Sequence, residues 1–364
     1  MISCGIVGLP LCGKSTVFNV ITRAGAEVKP YAGGKTEPNK AIVGVPDTRF
    51  DRLVELFEPK KETPANVEFV DLAGLSRDAG KGAGLGNAFL SFVGEADALV
   101  HVIRVFENAD VPHPEETVDP VRDWNIVEME LVFRDLSVIE NRLSRLGSKK
   151  KPLPEELAEQ KLLERCQAHL LEEKPLRELD LSPEEAKFLR GFTFLTRKPE
   201  LVVLNLDENQ VEDKDVPSLA EMQELADSRG FRLVRLFGRM EMEIAELSED
   251  EQVDFMKELG IEQPGRDRLI REAFELLGLI CFFTTGKDEV RAWTLADGGS
   301  AVDAAGAIHT DLARGFIRAQ VVHYDDYAAN DFSTAACRDR GVLKLEGKDY
   351  PVRDGDIIEI RFNV

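Results

Sequence analysis

Gly8, Gly13, Lys14 and Ser15 stand at the spacing G-x-x-x-x-G-K-S, within G-L-P-L-C-G-K-S. Those types at that spacing suit a phosphate chain. The glycines let backbone N–H groups curl around the anion, Lys14 brings a cation to the terminal phosphates, and Ser15 offers a hydroxyl to Mg2+. A helix beginning at this point directs its positive end to the same anion. The flanking pattern agrees, with an apolar run at 4–9 and a helix-like run at 16–22. The candidate nucleotide-binding stretch is therefore Gly8, Leu9, Pro10, Leu11, Cys12, Gly13, Lys14, Ser15 and Thr16, with Lys14 also a catalytic candidate.

Two further segments could complete such a site. V-E-F-V-D at 67–71 reads as a buried strand ending in an acid, with Gly74 three residues on. Asp71 is the Mg2+-side partner of the loop, and the Gly74 N–H can meet the terminal phosphate in the reaction. Segment 24–39 has no helical or strand period, and its Thr36 is a candidate first-switch hydroxyl for Mg2+. The glycine-rich stretch 80–86 reads as a second switch.

Elements that would position these residues follow along the chain. Short apolar runs at 98–105, 201–204 and 231–237 alternate with helical segments, which predicts a doubly wound, mostly parallel α/β sheet with its ligand at the strands' carboxyl ends. From Met129 the apolar positions 129, 132, 136, 139, 143 and 146 form a heptad seam. A basic tip at 149–154 and a returning seam at Leu163, Cys166 and Leu170 predict an antiparallel helical hairpin inserted in the nucleotide domain. Ser182 opens a capping box with proline at the first helical position. Four strand-like runs between 280 and 362 make a last α+β domain without a catalytic constellation. The expected domains are 1–124 with 199–277 for the nucleotide, 125–198 for the hairpin, and 278–364.

Composition limits the partners. A net charge of −21 argues against DNA and against any broad electrostatic hold on nucleic acid, leaving only local basic patches. No apolar run reaches bilayer-spanning length and the start shows no signal-peptide pattern, so no membrane association is expected. Five cysteines without a C-x-x-C pair suit reduced thiols and a cytoplasmic setting. The hairpin's seam is satisfied within one chain, so a monomer is expected.

The chain resembles the Obg-like ATPase (YchF) family, in the translation-factor branch of phosphate-loop NTPases. D-L-A-G-L (71–75) with K-G-A-G-L-G-N-A-F-L (81–90) resembles the family's second switch, and 201–208 its base-reading segment. F-F-T-T-G-K-D-E-V-R-A-W-T (282–294), A-A-G-A-I-H-T-D (304–311) and R-G-F-I-R-A (314–319) resemble its TGS domain. The resemblance implies a cytoplasmic, Mg2+-dependent nucleotide hydrolase that associates with the ribosome or a ribosomal subunit. It also implies a β-grasp TGS domain and rRNA or tRNA contact through the TGS and helical domains. Residues 278–364 carry ten Lys/Arg against fourteen Asp/Glu, so an RNA face there requires a local cluster such as Arg291, Arg314, Arg318 and Lys344.

Measured against that family, several positions carry the chemistry or depart from it. Superfamily members read guanine with N-K-x-D, whereas this chain has Asn205, Leu206, Asp207 and Glu208. Leu206 removes the base-packing lysine and Glu208 is one methylene too long, while Asn205 could pair with adenine. ATP is thus expected over GTP, with Asp207 in a shifted register as the GTP alternative. Leu75 replaces the glutamine that orients water in many relatives, and the resemblance points to His113 instead. Leu11 stands where relatives often have an asparagine that helps hold a monovalent cation, which puts K+ stimulation in doubt. Cys12 sits beside Lys14 at a helix N-terminus, both of which lower a thiol's pKa; the readings are a redox gate or a small residue chosen for fit. The alternatives to a slow ATPase are a nucleotide-gated binding module with vestigial hydrolysis, or a GTPase.

Overall fold

The computed structural model describes residues 2–22, 27–29, 39–71, 93–210, 217–258 and 263–363. Its first sheet is built on five parallel strands, β1 (Ser3–Val7), β5 (Asn66–Asp71), β6 (Ala98–Arg104), β7 (Glu200–Asn205) and β8 (Arg232–Leu236). β1, β6 and β7 are buried along their whole length, which is why they read as near-continuous apolar runs rather than alternating ones. An antiparallel pair, β2 (Glu27–Lys29) and β3 (Asn39–Gly44), extends one edge, giving the order β2-β3-β5-β1-β6-β7-β8. The order steps outward from β1 in both directions, so β1 is the switch point where such sheets open a ligand crevice. Helix α1 (Lys14–Thr22) begins directly after the phosphate loop that leaves β1. The doubly wound α/β architecture is as the strand–helix alternation predicts.

Helix α3 (Pro120–Gly147) serves two cores. Its first turns bury Val127 and Leu131 against Val7, Leu9 and Leu99 of the sheet unit. Its later turns bury Val132, Ile139 and Leu146 against Leu163, Cys166 and Leu170 of α4 (Pro154–Leu171), along the predicted seam. Arg142 grips Glu159 through Nε and Nη2 (2.5 and 2.8 Å), fixing the antiparallel register. Because α3 is continuous, the expected border at 124/125 falls inside a helix. Asp135, fully buried, accepts from the Leu195 and Thr196 N–H groups (3.0 and 2.8 Å) and so pins α3 to the chain returning into β7. The capping box at Ser182 opens α5 (Pro183–Leu189) as expected.

A buried charge cluster joins α3 to the strands. Arg177 Nη2 donates to Glu200 (2.8 Å) and to Glu128, while Glu200 also takes His101 Nδ1 (2.8 Å) and the Trp124 indole N–H (3.2 Å). Burial opposes charge on Glu200, but Arg177, His101 and Trp124 outweigh it and hold its carboxyl below the usual range. Glu128 gains less from Arg177; burial first, then the Glu200 charge, push its carboxyl up to about 8. The folded state therefore holds one more proton than the unfolded chain between pH 4.5 and about 8 at this group. Its contribution lowers stability as pH rises through that window, by at most about 1.4 kcal/mol per pH unit. Glu128→Gln removes the slope: denaturant midpoints should match the parent near pH 5 and exceed it at pH 8.

The remaining helices of this unit are α6 (Pro217–Arg229), α7 (Gly238–Ile244), α8 (Glu249–Glu258) and α9 (Gly265–Leu276). Gly230, at φ +71°, ends α6 in a left-handed conformation that glycine adopts without strain.

Internal packing divides the chain into Met1–Val43 with Glu68–Ala273, and Gly44–Val67 with Phe274–Val364. In the second unit the hairpin β9 (Leu279–Thr284) and β10 (Val290–Ala296) precedes α10 (Ala301–Ile308), β11 (Phe316–His323), β12 (Lys344–Glu346) and β13 (Asp356–Phe362). The order β12-β11-β13-β9-β10, with β13 parallel to β9 and α10 packed on the sheet, is a β-grasp arrangement. Segment 44–67, expected in the nucleotide domain, joins this unit for a physical reason. Its β4 (Glu62–Thr63) pairs in parallel with β10, and Arg49 of α2 (Thr48–Phe57) donates to Asp354 (2.7 Å).

Candidate nucleotide site

The parallel strands bring the candidate residues to one end of the sheet. Register aligns Ile6 with Asp71, Val7 with His101, and Arg104 with Asn205, so the loop after β1, the end of β5 and the ends of β6 and β7 converge. Gly8 and Gly13 are required there. Their φ angles are +146° and +101°; a Cβ on Gly8 would stand 2.3 Å from the Val102 carbonyl oxygen, and one on Gly13 2.1 Å from Asn205 Nδ2. Leu9 is buried in the core and anchors the loop, whereas Pro10 and Leu11 are exposed. Lys14 is buried and folds back, its Nζ donating to the carbonyls of Gly8 (3.0 Å) and Leu9 (2.7 Å). Ser15 Oγ, on an exposed residue, lies 3.4 Å from the buried Asp71 Oδ2 as a donor to it. Thr36, Gly74 and the glycine run 80–86 lie outside the described residues.

Asn205 is engaged inside the fold. Its Nδ2 donates to the Cys12 carbonyl (3.1 Å), and its Oδ1 accepts from the Gly238 N–H (3.3 Å). The buried amide thus ties the phosphate loop to the start of α7, and Gly238 is small because a Cβ would come 2.8 Å from Asn205 Oδ1. Leu206 is a core residue, packed with Ile103, Trp124 and Met222, and its N–H donates to Leu236. Asp207 Oδ1 accepts from the backbone and side-chain nitrogens of Asn209 (3.1 and 2.9 Å), a local turn. Glu208 is exposed.

His113 is brought to the start of α3. Its Nδ1 accepts from the Glu115 N–H (3.1 Å), so the proton sits on Nε2, which donates to Asp123 Oδ2 (2.8 Å). Both side chains are only 4% exposed. The loop carrying His113 is organised by Arg104, whose Nε and Nη2 donate to the carbonyls of Phe106 (3.0 Å) and Val111 (2.9 Å). Arg104 Nη1 is buried with no acceptor among the described residues. Sequence reasoning missed both Arg104 and Asp123. An arginine closing an otherwise fully buried strand was the available signal for the first, while Asp123 resembles any acid in a helix's first turn. His101 is a buried structural residue, held by Glu200.

Comparison with known proteins places these residues in a family. A family model described as a 50S ribosome-binding GTPase matches residues 3–134, and the YchF GTPase C-terminal family, described as a protein of unknown function, matches 279–363. The chain is 42% identical over 362 residues to the "Ribosome-binding ATPase YchF" of Pasteurella multocida, covering 99% of both chains. It is 41% identical to the protein of the same name from Bacillus subtilis, covering 100% of both. The chain belongs to the YchF family. A solved structure of the Schizosaccharomyces pombe YchF GTPase superposes with a TM-score of 0.88 at 34% identity, covering 99% of this chain and 97% of that one.

Two residues of the phosphate loop, Leu11 and Cys12, bear on what the loop can bind or sense. Leu11 adopts φ +62°, a left-handed conformation that asparagine tolerates better than leucine, and it has no side-chain oxygen to offer a monovalent cation. The residue at this position therefore does not fit K+. Cys12 is buried, and desolvation raises its thiol pKa despite the nearby Lys14. Burial and the raised pKa both disfavour the thiolate, which argues against a redox gate at Cys12. The four basic residues named for an RNA face are spread over several elements of the second unit. Lys344 and Arg318 lie on neighbouring strands, but Arg291 is on β10, with β13 and β9 between it and β11, and its guanidinium is 3.7 Å from the centre of the Trp293 ring. Arg314 pairs with Asp311 (3.4 Å). Among the described residues no helix is long and apolar enough to cross a membrane.

Proposed function

We propose that this chain is a Mg2+-dependent P-loop nucleotide hydrolase that prefers ATP to GTP and acts as a nucleotide-controlled switch on the ribosome. The observation that carries the reading is the convergence of Lys14, Ser15 and Asp71 on the loop at the sheet's switch point. The ammonium of Lys14 holds the loop's own carbonyls and is the charge for the terminal phosphates. Ser15 and Asp71 are hard oxygen donors 3.4 Å apart, a set that fits Mg2+. Ser15 and Asp71 would hold the ion, which would supply positive charge to offset the charge that develops on the phosphates. Thr36 and Gly74 are proposed to complete the metal and phosphate contacts from the two switches.

Preference for ATP is supported by what the base-reading segment lacks. Leu206 faces the core, Asp207 is engaged with Asn209, and Glu208 points no short carboxylate at a guanine edge. His113 is the proposed water-positioning residue, since Leu75 cannot take that part. Ribosome binding rests on the curated relatives, which are named ribosome-binding ATPases. The helical hairpin and β-grasp unit are its proposed contacts, in a cytoplasmic, monomeric protein. Co-sedimentation with ribosomal subunits, with ADP or with a non-hydrolysable ATP analogue, tests the switch. Binding that changes with the nucleotide is expected; equal binding with both would contradict it.

A further inference from the structure

A histidine that orients or activates water needs a free ring nitrogen, and His113 has none in this conformation. Nδ1 is occupied by the Glu115 N–H (3.1 Å) and Nε2–H by Asp123 Oδ2 (2.8 Å). Asp123 is itself held, its Oδ1 accepting from Arg122 Nε and Nη2 (3.1 and 2.8 Å). The same guanidinium reaches back to Thr117, donating to Oγ1 (2.9 Å) and to the carbonyl (2.6 Å). At the loop's other end Arg104 fixes the Val111 carbonyl (2.9 Å). The loop is therefore anchored at 111 and at 117, and the short stretch between, with prolines on both sides of His113, is the part left to move.

We propose that Asp123 is a positioning residue that stores His113 in a resting form, and that the productive state requires the His113–Asp123 hydrogen bond to open. This rests on the reading of His113 as the water-positioning residue. A closed form that outweighs the open one lowers the apparent rate by the fraction it occupies. Releasing the histidine should then speed unstimulated turnover instead of slowing it.

The test is Asp123→Ala, Asp123→Asn, His113→Ala and the Asp123→Ala/His113→Ala double variant, assayed for ATP turnover and ATP affinity. Asp123→Ala should raise unstimulated turnover roughly tenfold with affinity unchanged. Asp123→Asn keeps one acceptor oxygen where the carboxylate uses both, for Arg122 and for His113, and should give a rate between the parent and Asp123→Ala. In the His113→Ala background the alanine at 123 should change nothing, which a merely structural role for Asp123 would not give. The unmodified protein offers a second readout by NMR. The His113 Nε2 proton should be protected from solvent exchange in the resting protein and exposed with ATP analogue and ribosomes. A fall or no change in turnover in Asp123→Ala, an effect that persists without His113, or an Nε2 proton equally protected in both states overturns the latch. Parent-level turnover in His113→Ala overturns the underlying reading and the latch with it.

Discussion

Asn205→Ala is expected to weaken ATP and GTP binding together, by roughly 10- to 100-fold, while leaving the ratio of the two affinities unchanged. The magnitude follows from two hydrogen bonds lost between buried groups, each about 1–3 kcal/mol when a partner is left unsatisfied. Those partners are the Cys12 carbonyl in the phosphate loop and the Gly238 N–H at the start of α7. The loop would lose the tie that holds its shape, and phosphate binding depends on shape before base identity. Asn205→Asp should be at least as damaging, because it sets a carboxylate oxygen against the Cys12 carbonyl oxygen. Isothermal titration with both nucleotides decides the matter. A ratio that moves more than about tenfold (1.4 kcal/mol) would mean that Asn205 reads the base after all.

His113→Ala should lower ATP turnover by about 10²- to 10⁴-fold, the range for a positioned acid–base group. Affinity for ATP should stay within about twofold, because the side chain is packed against Asp123 and not on the phosphate loop's own carbonyls. The effect separates an enzyme from a nucleotide-gated binding module. An unchanged rate would make hydrolysis independent of this loop and favour the module, in which occupancy of the site alone sets the conformation.

The sequence made the local physics plain. Glycine spacing marked the phosphate loop, whose two glycines take left-handed or extended-positive φ values that other residues avoid. Continuous apolar runs marked the buried parallel strands, and the heptad seam from Met129 to Leu146 marked the hairpin, because each is a periodicity within one element. Side-chain pairings between distant elements were not legible. The Asn205–Cys12 tie spans 193 positions, and nothing in N-L-D-E shows that its amide turns to the loop. His113 and Asp123 are close in sequence, yet their pairing depends on how Arg122 folds the loop against α3. Segment 44–67 packs with the second unit through a strand, Glu62–Thr63, that is too short to carry a period and whose partner β10 lies far along the chain. The raised thiol pKa of Cys12 likewise depends on burial, which overrides the lysine and helix N-terminus that its sequence position advertises.

The most direct test of the account is the affinity of the unmodified protein for ATP and for GTP, measured side by side with Mg2+ present. ATP binding at least about tenfold tighter (1.4 kcal/mol) is the expected result, since Asp207 turns its Oδ1 to Asn209 and Glu208 is one methylene longer than a guanine-reading aspartate. GTP binding tighter than ATP would contradict it and assign Asp207 to guanine.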